Sequence, residues 1–446
     1  MTTSRHPDYT SERIAEWRLM RDTYEGESKV KARTTAYLPK PDAWTAMSDG
    51  GVGIYGAYIT RARFPEITNN TIRGIAGVMH GQDWQIELPA ALEYLKEKAT
   101  PDGLTLDVFS RRVSVELLTT GRYAVLTDAP AEGGDPYLVG YAAEALVNWD
   151  EGQDFFVLEE SINRRTGSDW NTVTQTRQLE LIEGAYVQTV LEDGVAVNTF
   201  EPRARGGGKL PMIPIAVGGA MDMDLCPDSP PLIGVARAAI AHYQLNADYR
   251  MALYMAYQDT LFIYNASKAP TAVGAGTVVS LTSAEIGKDV RAEYVAPSGN
   301  SIQAHERAMD REQMAATRSG AQMFDNTKSN AQESGDARRL RFSAETATIQ
   351  SIANASAAIL EKGLRNAAIM VGANPDDVIV TPPRNMLEGR LDANEINALV
   401  TAWERGAFGY ETLYDNLQRG RIASPERTAE EEEAAKEAPL PEPGIV

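Results

Sequence analysis

Cysteine is almost absent from this chain of 446 residues: Cys226 stands alone, which excludes an internal disulfide framework and fits a reducing compartment. Histidine is scarce too, with only His6, His80, His242 and His305. None of these stands at ligand spacing from Cys, Asp or Glu, and Cys226 has no adjacent base. Neither a metal centre nor a thiol nucleophile is therefore expected, and no cofactor. No run reaches the roughly 18 apolar residues of a membrane span, and the opening Met1 to Asp8 lacks a signal peptide's apolar core. The sequons at Asn69, Asn265 and Asn354 then carry no weight. Basic charge is in deficit, 43 Lys and Arg against 62 Asp and Glu, for a net charge of −19. That balance excludes a sequence-specific grip on DNA, which needs a basic face. It leaves open a protein that lets DNA pass without holding it.

The rest of the composition, 43% hydrophobic and 24% charged, is that of an ordinary globular protein. The length suffices for two or three cores. The stretch around which the chain is organised runs from Pro297 to Gly372. Ser301 to Phe324 reads as a helix, Asp325 to Gly335 as a polar break, and Asp336 to about Val371 as a helix on the order of 50 Å long. A rod of that length is expected to pack against other chains.

Upstream, Ser11 to Tyr24 places Ile14, Trp17, Met20 and Tyr24 on one helical stripe, and Glu25 to Asp42 reads as an arm or linker. Gly50 to His80 makes two helices broken at Phe64-Pro65, with Pro65 suited to a first turn. Leu106, Phe109, Val113 and Leu117 mark a helix over Leu104 to Thr120. From Gly121 to Val217, short β-branched and aromatic runs separated by Gly-Asp turn signals predict a mostly antiparallel sheet. They include Tyr123–Thr127, Phe155–Glu160, Arg177–Ile182 and Ala185–Leu191. Asp228-Ser-Pro-Pro231 caps a helix from Leu232 to Tyr257. A β-like insert follows, with Thr277–Leu281 and Arg291–Val295. Beyond the central helices, Pro375 to Pro383 is a connection, and Leu391–Arg405 and Tyr410–Gln418 are terminal helices. The segment from Ser424, with Glu430–Glu433 and four prolines, is expected to be disordered.

Two motifs imitate chemistry. Gly51-Val-Gly-Ile-Tyr-Gly56 has the letters of a dinucleotide loop, but no strand precedes it, and a flexible turn is expected. Gly206-Gly-Gly-Lys209 lacks the hydroxyl residue and the first glycine of a phosphate loop, and reads as a turn closing the sheet domain.

Three phrases then carry a resemblance: Phe64-Pro-Glu-Ile-Thr-Asn-Asn-Thr-Ile-Arg-Gly-Ile-Ala-Gly77, Pro230-Pro-Leu-Ile through His242-Tyr-Gln-Leu-Asn-Ala-Asp248, and Leu391-Asp-Ala-Asn-Glu-Ile-Asn-Ala-Leu399 with Leu417-Gln-Arg-Gly420. With the order of elements over about 50 to 430, they resemble the tailed-bacteriophage portal proteins. More narrowly, the chain looks like the portal-like family long catalogued as a domain of unknown function in phages and prophages. The resemblance implies an α+β, predominantly helical fold with wing, stem, clip and small crown. Residues 1–48 would be an N-terminal helix and arm, 49–229 the wing, 230–264 and 298–324 the paired stem helices, and 265–297 the clip. The tunnel loop would be 325–335, the long wing and channel helix 336–372, a short crown 373–423, and an acidic tail 424–446.

It also implies a non-enzymatic ring of about twelve copies at one capsid vertex of a virion. Double-stranded DNA would be packaged and ejected through it. The terminase large subunit, head-tail connector or adaptor proteins, and capsid and scaffolding proteins would be its partners, with no membrane. The loop facing DNA would be Asn326, Thr327, Lys328, Ser329, Asn330 and Gln332. DNA carries a charge every ~1.7 Å, so a conduit should touch it weakly, and one lysine per loop does that. Stem charges Glu306, Arg307, Asp310, Arg311 and Glu312 would pair between subunits, although an exposed helix of a monomer would look the same. Such pairs contribute about 0–1 kcal/mol each. Lys268, Glu285 and Lys288 would meet partners at the clip. Small residues of the long helix (Ala344, Ala347, Ser351, Ala355, Ala358) suit close packing in a ring and equally a plain Ala-rich helix. A different connector or adaptor is the second reading, and a nucleotide-dependent enzyme using Gly51–Gly56 the third.

Overall fold

The computed structural model describes residues 4–129, 134–256, 260–268, 282–285, 288–295, 302–317, 319, 335–383, 393–419, 422–424 and 427–436. It is a mixed α+β structure, about half of its described residues helical, and it divides into two units, Met1–Pro382 and Pro383–Val446. Helices therefore do not predominate as strongly as the sequence implies.

In the first unit, α1 (Ser11–Glu25) starts at Thr10, whose hydroxyl accepts from the Arg13 amide. Trp17 and Met20 of its stripe are fully buried. The presumed arm is folded: α2 (Glu27–Ala32) and the turn after it bury Val30 and Leu38, and Arg33 and Tyr37 both bind the carboxylate of buried Asp22. Basic side chains mislead here, because Lys29, Lys31 and Arg33 each have an acidic partner in the fold, and Lys40 donates to the Gly50 carbonyl. Next come α3 (Asp42–Thr45), α4 (Val52–Arg61), α5 (Ile67–Met79), β1 (Gln85–Glu87), α6 (Tyr94–Glu97) and α7 (Leu106–Thr120). Leu106, Phe109, Val113 and Leu117 are all buried, and Gly121, at φ 74°, ends α7 in the left-handed conformation that glycine adopts without strain.

Two antiparallel sheets follow. β2 (Arg122–Asp128) lies between β3 (Tyr137–Ala142) and β9 (Ile215–Gly219). The second sheet runs in sequence order through β4 (Leu146–Trp149), β5 (Phe155–Thr166), β6 (Asp169–Ile182), β7 (Ala185–Glu192) and β8 (Val195–Phe200). Their shared core includes Leu126, Phe156, Leu158, Leu179, Tyr186 and Val217.

Next in the chain are α8 (Ile233–Ala256), β10 (Thr260–Tyr264), β11 (Arg291–Val295), α9 (Ile302–Ala316) and α10 (Gly335–Val371). The insert pairs β10 with β11; the expected strand Thr277–Leu281 lies outside the described residues. The carboxyl-terminal half of α10 belongs to this chain's own core, which corrects the expectation that other chains cover it. Ile352, Ala353, Ala355, Ile359, Leu360, Leu364, Ala367 and Ala368 are buried, packed on α7, β2 and β9. The approach is close: a Cβ on Gly218 of β9 would stand 2.8 Å from Ile359, and one on Gly363 would stand 3.0 Å from Val125. The presumed connection after α10 contains β12 (Ile379–Thr381), antiparallel to β1.

The second unit holds α11 (Ala393–Glu404), α12 (Tyr410–Arg419) and α13 (Ala429–Lys436), with Leu413 and Tyr414 buried. The last helix corrects the reading of a wholly disordered tail. Thr428 and Glu431 form a reciprocal capping box: the Glu431 amide donates to the Thr428 hydroxyl at 3.2 Å and the Thr428 amide to the Glu431 carboxylate at 3.0 Å.

Candidate functional site

α8 and α9 form an antiparallel helical hairpin closed at its far end by the β10–β11 ladder. The crossing contacts show the direction. Gly234 lies beside Ser319, Asn246 reaches Met309 Sδ at 3.8 Å, and the Tyr249 hydroxyl donates to Glu306 at 2.9 Å.

The base of the hairpin is built into the first unit. Ala239, Ile240, Tyr243 and Ala247 join Val30, Leu38, Tyr58, Ala62 and Phe64 in one cluster. Polar bonds fix the register: Tyr58 donates to Asp248 at 2.5 Å, Gln244 to the Tyr37 carbonyl at 2.8 Å, and Arg237 pairs with Glu16 at 2.8 Å. Hydrogen bonding to Asp248, after burial itself, pushes the Tyr58 phenol well above its ordinary value, so it acts as a donor.

Away from the base the cover thins. Tyr254, Met255 and Met314 are exposed, and the Arg61 guanidinium lies 3.7 Å from the Tyr254 ring. On β10, Phe262 and Tyr264 stack at 6.4 Å and are 44% and 48% exposed. These aromatics were missed in the sequence, although two aromatics at a spacing of two are a strand signal.

The predicted stem charges lie along α9. Glu306, Arg307, Asp310 and Arg311 are exposed and Glu312 is half-buried. Among the described residues, Arg307, Asp310 and Arg311 have no ion-pair partner in the chain. Burial lowers the pKa of His242 on α8, while Glu312 and Asp310 across the hairpin pull the other way. At the tip, Lys288 and Glu285 pair with each other at 2.6 Å, both exposed, and Lys268 is exposed on the opposing segment. The structure thus brings two of the three predicted tip residues together. Asn326, Thr327, Lys328, Ser329, Asn330 and Gln332 lie outside the described residues.

The imitated motifs have structural explanations. Helix α3, not a strand, precedes Gly51, and Gly51 is the left-handed N-cap of α4, so the predicted flexible turn is the start of a helix. The Asp49 carboxylate takes the Gly51 and Gly53 amides at 2.9 and 3.0 Å, the donors a pyrophosphate would need. Those bonds also lower the Asp49 pKa. Gly206–Gly208 turns between Arg203 and Lys209, which form an isolated antiparallel bridge. Among the described residues, no group of three or more His, Cys, Asp or Glu could hold a metal ion. Among them, too, no helix is long and apolar enough to cross a membrane.

Residues 231–370 match the family model described as "Domain of unknown function (DUF4055)". The match begins at α8 and ends within the last turn of α10, so it spans the hairpin, its tip and the long helix. No curated protein matches. Among solved structures, the chain is similar to one described as the neck of a native GTA particle computed with C12 symmetry. That likeness has 14% identity and a TM-score of 0.41, over 79% of this chain and 89% of that one. A chain from the neck of the empty particle, computed with C6 symmetry, gives 12% and 0.44 over 79% and 90%. One from the virion of the native gene transfer agent gives 14% and 0.43 over 87% and 98%. Resemblances this weak carry no functional weight by themselves.

Proposed function

We propose that the chain is the repeating unit of a portal ring, a non-enzymatic conduit for double-stranded DNA at a capsid vertex. The observation that carries this reading is the α8–α9 hairpin. Among the described residues it is anchored mainly at its base, its tip exposes aromatics, and Arg307, Asp310 and Arg311 on its flank find no ion-pair partner. Several copies standing side by side would give those charges partners and cover Tyr254, Met255 and Met314. Residues 326–332, between α9 and α10, would then face the channel, with Lys328 their one charge. The β10–β11 tip, with Lys268, Glu285 and Lys288, would meet the terminase large subunit during filling and connector proteins afterwards. ATP hydrolysis would belong to the terminase, since the amides of the Gly51 loop are already occupied.

Sizing of the purified full-length chain with negative-stain imaging tests the ring. A species of ten to thirteen copies with a central hole is expected, near the twelve typical of the resembled family. A compact monomer at all concentrations overturns the reading. Deleting Asn326 to Gln332 separates portal from connector: rings should assemble normally but fail to package or retain DNA, and unchanged packaging favours the connector.

A further inference from the structure

A two-stranded ribbon leaves the larger sheet. β4 pairs with β5 only as far as Leu158, and β7 meets β6 only from Gln175 onward, so Ser161–Thr174 pair solely with one another. From residue 163 to 172 every side chain is exposed, and Trp170 is 65% exposed. An isolated two-stranded ribbon is marginal in water, and nothing in the fold requires an indole there. Arg164 pairs with Glu192 at 2.7 Å, but Arg165 has no ion-pair partner among the described residues. Trp and Arg at an exposed tip are the residue types that dominate interface energies.

About 20 Å back along the ribbon, at ~3.4 Å per residue, the two sheets part around an open groove of about 450 Å³. Asp128, Tyr137, Tyr141, Glu159, Glu160 and Arg177 line it. Arg177 holds Asp128 at 2.8 Å and Glu160 at 3.0 Å, while Glu159 is met only by the exposed Arg5, at 3.4 Å. Three carboxylates against one lining guanidinium leave the groove acidic and aromatic, complementary to Arg165 and Trp170 at a tip whose other charges are Arg164, held by Glu192, and the exposed Asp169.

We propose that the ribbon tip of one copy docks in the groove of a second copy, Arg165 against Glu159 and Trp170 against Tyr137. Charge selects this occupant over nucleic acid, because the groove repels phosphate and the tip has one free guanidinium. Tip and groove are different patches of the same chain, so the contact is head-to-tail. Such contacts close into a ring when the rotation per copy closes, and into a filament otherwise. The inference rests on the ring reading for that closure.

Assembly of the full chain is followed by sedimentation velocity for Trp170→Ala, Arg165→Glu, and Arg165→Glu combined with Glu159→Arg. The altered side chains are solvent-exposed or at the groove rim, so circular dichroism should be unchanged. Each single variant should assemble at least about tenfold more weakly, the scale of a lost interface anchor. The charge swap should restore most of the loss. Single variants that assemble like the unaltered chain overturn the docking and leave the ring reading standing. Weakened singles with no recovery in the swap overturn the groove as the receptor. A chain that never assembles overturns both.

Discussion

The Trp17 indole N–H donates to the backbone carbonyl of Thr120 at 2.9 Å, across 103 residues of sequence. The bond ties α1 to the point where α7 gives way to the sheets. Trp17→Phe keeps most of the apolar contact and leaves that carbonyl unpaired, at an expected cost of about 1–3 kcal/mol. Trp17→Ala adds a cavity and should cost about 3–5 kcal/mol. Urea unfolding of both variants measures the difference.

Arg177 is the one cation between buried Asp128 and half-buried Glu160. Burial, partly offset by Arg177, raises the Asp128 pKa above its ordinary value. Arg177→Met leaves buried Asp128 without its counter-charge and should cost about 3 kcal/mol near neutral pH. A carboxyl whose folded pKa is raised gains stability as pH falls through that pKa, because the folded state keeps a proton that the unfolded state releases. The deficit of Arg177→Met should therefore shrink as pH is lowered, as read from the thermal midpoint at several pH values. A deficit independent of pH would show that lost packing, not charge, is responsible.

His80 responds in the opposite sense. Burial pushes its imidazole down to about 4, with Asp107 opposing weakly. The ring stacks on Trp84 at 4.8 Å, and its Nε2 lies 3.0 Å from Ser114 Oγ. Between the unfolded value of 6.5 and about 4, the unfolded chain takes up a proton that the fold refuses, so stability falls as pH falls through that window. The loss should be on the order of 2 kcal/mol. His80→Gln should flatten this part of the stability-against-pH curve.

Gly218→Ala tests the seat of the long helix. The added methyl would collide with Ile359 and with Met223, at 2.8 and 2.9 Å. Overpacking of this kind costs about 1–3 kcal/mol. A variant as stable as the parent would mean that α10 shifts freely over the sheet.

The sequence reveals elements that follow a simple period. Trp17 and Met20 of the α1 stripe and the four apolar positions of α7 are buried where helical spacing puts them, while Ile14 and Tyr24 are half-buried. It conceals whatever depends on distant partners. β1 and β12 meet across almost 300 residues with three pairs, and neither run is long enough to show a period. The ribbon of β5 and β6 extends past the runs Phe155–Glu160 and Arg177–Ile182, because a segment solvated on both faces has no reason to alternate. The Ala and Ser of α10 signal a close neighbour without saying whose; for Ala355 the neighbour lies in the same chain. Of the proposed site, the α9 charges and the tip were legible as polar positions on a helix and an insert. The exposed aromatics of β10 were not legible, because a five-residue strand directly after α8 reads as the continuation of an apolar helix. The capping box at Thr428 and Glu431 was present as letters, but the acidic run around it obscured it.

Helix α10 has 37 residues, roughly 55 Å at 1.5 Å per residue, with no proline between Gly335 and Val371. One end is clamped by β2, β9 and α7. A helix without proline has no built-in kink at which a displacement along it would be absorbed. The first turns of α10 and the strands under Ile359 are thus joined by one unbroken rod, as the two arms of one lever.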